Sequence, residues 1–452
     1  MGRRLLTLVV AAATLAGCGL VAQRAALDPQ QEAARLAEDT VEPGVIELAR
    51  FFGDCDDATL GVTDVSTATN ECEVIQILTN AFNADNPDGI QVERLGGAQF
   101  AAYYDTLNAT YAGGSPPDVA VMHAANLPDY ANRGLLVELD GVLDSVDVDP
   151  SEWTDPAREA VTHDGAVYGV PFDVHANLWH VNFDLLAEAG LVDDAGDPIL
   201  PSSPEEFLAH AAQVEEATGA QYYAIDANQF ALDVMMFLTL LYQAGGDVVT
   251  EDGSTALLDT PEAHQALTFM NTLFDEGIAD PQQDYTAAQS AFLEGEAAIL
   301  HNGTWVVNQY AAEAPFEYRT MPFPTIFDEP ATWSNSHVWV LPVKRDPGNY
   351  REALAFVGYL SDHATDWAVG TGHLPSQQPA LDSEEFISAP QRANFAAATV
   401  DQARLLPTVG SWQPIEDVIK REIESTWLTG ATVDTALRDA QREIDILLQT
   451  AG

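Results

Sequence analysis

Positive charge is what this sequence has least of. Its 452 residues include 70 aspartates and glutamates but only 18 lysines and arginines, so the formal net charge is −52. Lysine occurs only at Lys344 and Lys420. A surface this negative repels phosphate backbones and anionic head groups, which argues against a nucleic-acid partner. Many acids with almost no lysine are typical of proteins that work in concentrated salt, where screening shortens the reach of self-repulsion, so we expect a halophilic source.

The shortage of cations is greatest in the middle of the chain. No lysine or arginine occurs between Arg158 and Arg319. A ligand that carries phosphate, sulfate or carboxylate groups normally binds to guanidinium or ammonium groups. We therefore expect the ligand of this region to be neutral or cationic.

The chain also lacks an apolar run long enough to span a bilayer. Residues 5–15 form an apolar run that is too short to do so as a helix. The run follows Arg3 and Arg4 and leads into the tetrapeptide Leu-Ala-Gly-Cys, which ends at Cys18. This order of basic start, apolar run and terminal cysteine resembles the export signal of bacterial lipoproteins, in which the cysteine is acylated.

We therefore predict a lipoprotein signal peptide over 1–17 and a lipidated tether over 18–42. Acylation of Cys18 would hold the exported chain at the outer face of the cytoplasmic membrane, which it would contact only through this anchor. An ordinary secretory signal with a chance cysteine is the alternative. The paired arginines leave the choice between Sec and twin-arginine export open.

Cysteine is scarce, with three residues in the whole chain. If Cys18 carries lipid, Cys55 and Cys72 remain as an even pair in an oxidising compartment, and this predicts a disulfide. The alternative, a metal site, lacks two further soft ligands nearby. We accordingly expect no metal and no cofactor.

Strand and helix patterns alternate along the chain, which indicates an α/β protein with a parallel sheet. In the first part the predicted strands and helices cover residues 45–52, 71–82, 90–93, 100–111, 118–122 and 127–133. A second α/β region has predicted helices at 204–217, 232–244 and 260–276 and a strand at 297–300. Further helices are predicted at 350–361, 415–426 and 435–448.

Six segments resemble the extracellular solute-binding proteins of ABC importers, and in particular the carbohydrate group that includes maltose-binding proteins. The segments follow one another along the chain in the same order as in that family. The most diagnostic is Ala-Phe-Leu-Glu-Gly-Glu-Ala-Ala at 291–298, which leads to Asn-Gly-Thr-Trp at 302–305. The others are Gly-Gly-Ser-Pro-Pro-Asp-Val at 113–119, Gly-Leu-Leu-Val-Glu-Leu-Asp at 134–140, Tyr-Gly-Val-Pro-Phe-Asp-Val-His at 168–175, Gly-His-Leu-Pro at 372–375 and the helix that begins Thr-Ala-Leu at 435–437.

The resemblance implies a two-lobe, periplasmic-binding-protein-like fold of type II, with lobes joined by hinge crossovers and a ligand cleft between them. By this resemblance the N-terminal lobe covers 43–175 plus 338–374, and the C-terminal lobe covers 176–337 plus 375–452. It also implies a monomeric, non-enzymatic receptor whose ligand-closed form is recognised by ABC permease subunits with a cytoplasmic ATPase.

Sugars present apolar CH faces to aromatic rings and hydroxyls to polar side chains, so we expect both kinds of residue at the family's motif positions. By resemblance, Trp305 and Trp412 occupy the positions of stacking tryptophans. Trp333 and His337 precede an apolar strand at a predicted crossover. The alternative for Trp305 is a core position, and for Trp333 and His337 it is packing at the hinge.

Asp173 and His175 alternate along the predicted crossover strand and therefore point to one face, where they could bind hydroxyls. His175 stands where the maltose-binding pattern usually has a glutamate, so maltose itself is in doubt. Four further candidates follow strands or lie in loops that could reach a ligand. They are His123, Asp54, His373 and Phe230.

Two other functions fit parts of the sequence. A secreted glycoside hydrolase would need two carboxylates, but with 70 acids a chance pair is no evidence. The sequence contains no Gly-x-Ser-x-Gly, no His-Glu-x-x-His and no phosphate loop. A polyamine or peptide ligand would suit an acidic cleft, whereas Trp305, Trp333 and Trp412 favour a sugar.

Overall fold

The computed structural model describes residues 28–96, 102–344, 348–410 and 412–450. The predicted signal peptide and Cys18 lie outside these residues. Over the described residues the chain forms eighteen α-helices and fourteen β-strands. The helices are α1 (Pro29–Glu38), α2 (Glu71–Asp85), α3 (Tyr103–Gly113), α4 (Leu127–Asn132), α5 (Asp155–Val161), α6 (Phe183–Glu188), α7 (Pro204–Thr218), α8 (Leu232–Gln243), α9 (Pro261–Asp275), α10 (Tyr285–Leu293), α11 (Val307–Glu313), α12 (Tyr350–Asp362), α13 (Ala364–Thr371), α14 (Gln378–Leu381), α15 (Glu384–Ile387), α16 (Arg392–Gln402), α17 (Trp412–Leu428) and α18 (Val433–Thr450).

The strands belong to two main sheets and one short hairpin. They are β1 (Val45–Ala49), β2 (Gln91–Arg94), β3 (Val119–His123), β4 (Thr162–His163), β5 (Ala166–Val167), β6 (Val170–Pro171), β7 (Asp173–Asn182), β8 (Gln221–Ala224), β9 (Ala297–Gly303), β10 (Tyr318–Pro322), β11 (Thr332–Asn335), β12 (His337–Val340), β13 (Leu374–Pro375) and β14 (Ala403–Leu405).

The first sheet has the order β2-β1-β3-β12-β6 and forms the first lobe. Strand β1 runs parallel to β2 and β3, as predicted, but β12 runs antiparallel to both β3 and β6. The expectation of a parallel sheet is therefore confirmed for β1, β2 and β3 and wrong for β12. The chain returns to this sheet from the other lobe, and the returning strand has the opposite direction.

The second sheet has the order β14-β11-β7-β9-β8, with β10 and β13 also paired to β7, and forms the second lobe. All ten residues of β7 are buried, as expected for a strand that is covered on both faces. Each sheet is packed into its own large apolar core. The result is a two-lobe α/β arrangement.

The ends of several helices follow directly from local sequence. Ser203 caps α7 by accepting a hydrogen bond from the backbone of Glu206, and Pro204 fills the first helical position. The helix ends at Gly219, whose φ of 72° is the left-handed conformation that favours glycine. These signals explain why the sequence locates this helix to within about one residue at its end.

The two lobes are joined where three segments cross between the sheets. Ser336, between β11 and β12, donates its hydroxyl to the backbone oxygen of Asp173 at 2.5 Å. The backbone of Phe172 donates to that of His337 at 2.8 Å. The third segment passes through Gly372, where a Cβ atom would lie 2.2 Å from the backbone oxygen of Thr304. Only glycine fits this approach.

At its N-terminal end the described chain is packed against the first lobe. Helix α1 buries Leu36 in the first core, so part of the segment predicted as a tether is helical. Phe386 and Phe395 also pack in the first core, although they lie in the range assigned to the C-terminal lobe. The lobe boundaries remain a prediction. Among the described helices, none combines the length and apolar character of a membrane span.

Candidate functional site

Four of the ten histidines of the chain meet where the crossovers approach the ends of β1 and β3. The rings of His175 and His337 stack with centroids 4.2 Å apart. His123 lies 5.2 Å and His373 lies 5.4 Å from His337, again between ring centroids. Together with Asp173, these four residues form what we call the hinge cluster.

Asp173 is the centre of the hinge cluster. Its carboxylate is completely buried and accepts hydrogen bonds from Nδ1 of His175 at 3.0 Å and Nδ1 of His337 at 2.7 Å. It also accepts from the indole of Trp367 at 2.7 Å and from the backbone of His337 at 3.1 Å. Four donors thus satisfy one carboxylate, as a buried charge requires.

These contacts decide the protonation of the imidazoles. Burial alone would raise the pKa of Asp173, but His337, His373 and the hydrogen bonds hold that pKa well below its ordinary value. An ionised carboxylate only accepts, so His175 and His337 present Nδ1–H to it. Burial, with His337 nearby, lowers the pKa of His175 to about 3, so this imidazole is neutral at pH 7.

The two outer histidines are fixed by other partners. Nδ1 of His123 lies 2.9 Å from the hydroxyl of Tyr104, and its ring stacks on Phe51 at 4.7 Å. His373 uses both ring nitrogens, with Nδ1 2.9 Å from the hydroxyl of Thr304 and Nε2 2.8 Å from Oε1 of Glu71. Burial would lower the pKa of His373, but the carboxylates of Asp173 and Glu71 raise it overall.

Next to the hinge cluster, three aromatic residues of the second lobe form what we call the aromatic wall: Phe230, Tyr285 and Trp305. The indole of Trp305 donates to the hydroxyl of Tyr285 at 3.2 Å, and its ring lies 6.1 Å from that of His175. Phe230 packs edge-on against Tyr285 at 4.8 Å and keeps 36% of its surface exposed. A Cβ on Gly303 would lie 1.9 Å from the indole of Trp305, so glycine makes room for this ring.

The loop that carries Phe230 is held by charge-assisted bonds. The carboxylate of Asp226 accepts hydrogen bonds from the backbone of Gln229 at 2.9 Å and of Phe230 at 2.6 Å. Lys420 donates its ammonium to the backbone oxygen of Phe230 at 2.9 Å. An exposed phenyl ring on a fixed loop is suited to contact a ligand.

The other two predicted aromatic residues lie deeper. Trp333 is 4% exposed, packs in the second core and has its ring 5.8 Å from that of His175. Trp412 is 2% exposed in the same core and donates its indole N–H to Glu416 at 3.1 Å. Burial raises the pKa of Glu416 to about 7. The stacking role of Trp412 and the ligand role of Trp333 remain predictions, and neither ring offers much surface in this structure.

Asp54 forms an ion pair with Arg94 beside the disulfide. Arg94 approaches its carboxylate to 2.9 Å and holds its pKa below the ordinary value. The disulfide joins Cys55 and Cys72, as the cysteine count predicted, with their Cα atoms 6.0 Å apart. It ties the loop after β1 to the first turn of α2. A ligand role for Asp54 remains a prediction.

Several residues of the site were not predicted. Glu71 directly precedes Cys72, which the predicted disulfide joins to Cys55 in the loop after β1. The predicted disulfide therefore indicated that Glu71, at the start of α2, lies near that loop. Tyr285 is the first residue of α10, and Trp367 lies inside α13. Nothing in their local sequence distinguishes them from core aromatics, and only the fold brings them to the site.

Among the described residues, the hinge cluster and its neighbour Glu71 provide three sets of side chains that could hold a metal ion, each with its ligand atoms within 4.8 Å of one another. The sets are His123, His175 and His337; Glu71, His337 and His373; and Asp173, His175 and His373. The cysteines have no further soft ligands nearby in the sequence, whereas these histidines come from four separate segments that only the fold brings together.

Comparison with known proteins identifies relatives over most of the chain. A family model for bacterial extracellular solute-binding proteins matches residues 78–394. A putative binding protein of Brucella abortus is 23% identical over 386 residues, which is 82% of this chain and 88% of that protein. The maltotriose-binding protein of Pyrococcus abyssi is 24% identical over 392 residues, which is 83% of this chain and 79% of that protein.

Solved structures share the same fold. The GacH receptor of Streptomyces glaucescens, solved without ligand and with acarbose, superposes with a TM-score of 0.77 at 22% identity. The match covers 90% of this chain and 99% of that receptor. The predicted fold class is confirmed.

Proposed function

Because the chain belongs to the bacterial extracellular solute-binding proteins, we propose that it is a receptor that binds a sugar between its two lobes. The sugar is an oligosaccharide or a glycoside, and the receptor delivers it to ABC permease subunits that a cytoplasmic ATPase drives. The observation that carries this proposal is the aromatic wall beside the hinge cluster. Aromatic rings fit the apolar faces of a sugar, and neutral imidazoles accept hydrogen bonds from its hydroxyls.

The charges near the aromatic wall support a neutral ligand. The stretch from 159 to 318, which contributes all three wall residues, has no lysine or arginine. Lys420 reaches the loop of Phe230, but its ammonium is neutralised by Glu424 at 2.5 Å and Asp233 at 3.6 Å. An anionic ligand would find no unneutralised cation among these residues, whereas a sugar needs none.

The names of the relatives agree with this ligand class. The Pyrococcus abyssi relative is a maltotriose-binding protein, and the GacH receptor was solved in complex with acarbose. The proposal extends to a monomeric protein without enzymatic activity. It is anchored outside the cytoplasmic membrane through lipid on Cys18, and its acidic surface is adapted to high salt.

A thermal-shift panel in molar salt tests the ligand class. The purified chain from residue 19 onward is heated with malto-oligosaccharides, chito-oligosaccharides, monosaccharides, polyamines and short peptides. A ligand at a hundred times its Kd stabilises the folded state by about 2.7 kcal/mol, which raises Tm by a few degrees. We expect shifts with one class of sugar, and chromatography should recover that sugar unchanged.

Two outcomes would contradict the proposal. Shifts only with polyamines or peptides would move the ligand out of the carbohydrate class. Conversion of a sugar into shorter products would identify a hydrolase instead of a receptor.

A further inference from the structure

We propose that His123, His175 and His337 bind one divalent transition-metal ion of the zinc class at the hinge. The inference does not depend on the sugar proposed above. It goes beyond that function because it assigns a second kind of ligand to the floor of the same site.

The first support is proximity. The ligand atoms of the three imidazoles lie within 4.8 Å of one another. Zinc–nitrogen bonds of about 2.0–2.1 Å in tetrahedral geometry place neighbouring nitrogens about 3.3 Å apart. The rings must therefore close by at most about 1.5 Å, which small rotations can provide because the χ2 torsion of histidine has a broad energy profile.

The second support is the carboxylate behind the rings. A histidine that binds a metal through one ring nitrogen normally donates its other N–H to a carboxylate or carbonyl group, which fixes the tautomer and the ring plane. Asp173 does this for two of the three histidines, at 3.0 Å for His175 and 2.7 Å for His337. Because Nδ1 of both rings contacts Asp173, Nε2 is the atom of each ring that would bind the metal, and the carboxylate offsets part of the charge of the ion.

The other two sets are poorer sites. His373 belongs to both of them, yet its two ring nitrogens already contact Thr304 and Glu71 at 2.9 and 2.8 Å. The set that contains Asp173 would also take this carboxylate away from the imidazoles that it orients. The set of His123, His175 and His337 leaves Asp173 in its supporting position and does not use His373 as a ligand.

The donor atoms decide the class of ion. Three imidazole nitrogens favour Zn²⁺, Cu²⁺, Ni²⁺ or Co²⁺, whereas Ca²⁺ and Mg²⁺ prefer oxygen ligands. This preference also separates the site from the acidic surface of the protein. An excess of Mg²⁺ occupies surface carboxylates and leaves a nitrogen site available to Zn²⁺.

The test is equilibrium dialysis of the full mature chain with Zn²⁺ in molar salt and excess Mg²⁺. We expect one Zn²⁺ per wild-type chain. The double variant His175→Ala/His337→Ala should lose that ion, and Asp173→Asn should bind it about 10–100-fold more weakly because the rings lose their orienting acceptor. The control is His264→Ala, which removes a partly buried imidazole that lies outside the hinge cluster and contacts Asp259 and Asp434 at 3.1 and 3.3 Å. It should bind Zn²⁺ like the wild type.

Zn²⁺ bound equally by the double variant, or displaced by Mg²⁺ in the wild type, would overturn the proposal, and so would no bound ion at all. X-ray absorption of the zinc-loaded wild type needs no variant to fold. Nitrogen neighbours at about 2.0–2.1 Å support the site, and a shell of oxygens alone refutes it. Repeating the sugar panel on protein treated with a chelator separates the two proposals. Sugar binding that persists without metal leaves the receptor function standing whatever the outcome for Zn²⁺.

Discussion

The hinge cluster and the aromatic wall lie side by side but are built in opposite ways. The hinge cluster draws residues from both lobes and the crossovers, and its central carboxylate is completely buried with four hydrogen-bond donors. The aromatic wall comes from the second lobe alone and keeps part of its surface open at Phe230. A buried polar network costs free energy unless all its groups are paired, whereas a partly exposed ring has contact area to offer a ligand.

The difference suggests a division of roles. We infer that the hinge cluster holds the two lobes in register and presents imidazoles of fixed tautomer. The aromatic wall supplies most of the surface for the sugar. Substitutions in the first region should mainly change stability, and substitutions in the second should mainly change affinity.

The largest expected effect is the loss of stability in Asp173→Ala. This change leaves two imidazole N–H groups, one indole N–H and one backbone N–H without their acceptor, and each buried unpaired group costs about 1–3 kcal/mol. With partial relaxation we expect the free energy of unfolding to fall by about 4 kcal/mol, measured by urea denaturation. Asp54→Ala, which removes an exposed partner of Arg94, is the control and should change the free energy of unfolding far less.

A loss below about 1 kcal/mol in Asp173→Ala would contradict the structural role of the hinge cluster. The two regions would then differ only in composition.

The second prediction concerns affinity. Trp305→Ala removes the largest ring of the aromatic wall, and a buried tryptophan at the centre of a binding site typically contributes at least about 2 kcal/mol, or about 30-fold in Kd. We expect this loss in calorimetric titrations with the sugar identified by thermal shift. Trp427→Ala is the matched control, because this indole packs on Phe274 and donates to the backbone of Ala227.

Gly303→Ala tests the role of the Trp305 ring by a second substitution. The added methyl group occupies the space of the indole and should displace Trp305, lowering affinity without removing the tryptophan. Unchanged sugar affinity in both variants would show that the aromatic wall is not the binding surface.

The third prediction is the response to acid. Burial, with His180 nearby, lowers the pKa of His301 to about 3, so this residue stays neutral in the folded chain at pH 5 while the unfolded chain takes up a proton below about pH 6.5. The stabilisation is therefore complete above pH 6.5 and decreases as the pH falls toward 3. Each such histidine contributes a slope of up to about 1.4 kcal/mol per pH unit.

His301→Phe should reduce this slope, when urea unfolding is followed between pH 7 and pH 5, by up to about 1.4 kcal/mol per pH unit. For His373, in the hinge cluster, the dependence of stability on pH has the opposite sign. Its pKa is raised, so its stabilisation is complete below pH 6.5 and is lost as the pH rises through the folded-state value. An unchanged slope in His301→Phe would mean that this histidine is protonated in the folded chain.

The smallest expected effect is that of Phe230→Ala. The ring is partly exposed and meets Tyr285 edge-on, so its removal should weaken sugar binding by about 1 kcal/mol or less, roughly threefold to fivefold. Stability should hardly change. A loss as large as that of Trp305→Ala would place the centre of the binding surface at this loop instead of at the hinge end of the wall.

Local patterns predict the elements of this fold well and their long-range arrangement less well. Caps and breakers such as Ser203 and Gly219 located α7, because they act on their own helix. The direction of β12 was missed, because it depends on a return from the other lobe. The hinge cluster was also missed as a unit. Its residues were each proposed as ligands, but segments as distant as His123 and His373 meet only through tertiary packing.

The most direct test of the central claim is a calorimetric titration of the chelator-treated chain with malto-oligosaccharides and chito-oligosaccharides, in parallel with Trp305→Ala. The account predicts one saturable site for one sugar class, with a negative heat-capacity change from ring burial and a large loss of affinity in the variant. Binding of no sugar, together with saturable binding of a polyamine or a peptide, would contradict it.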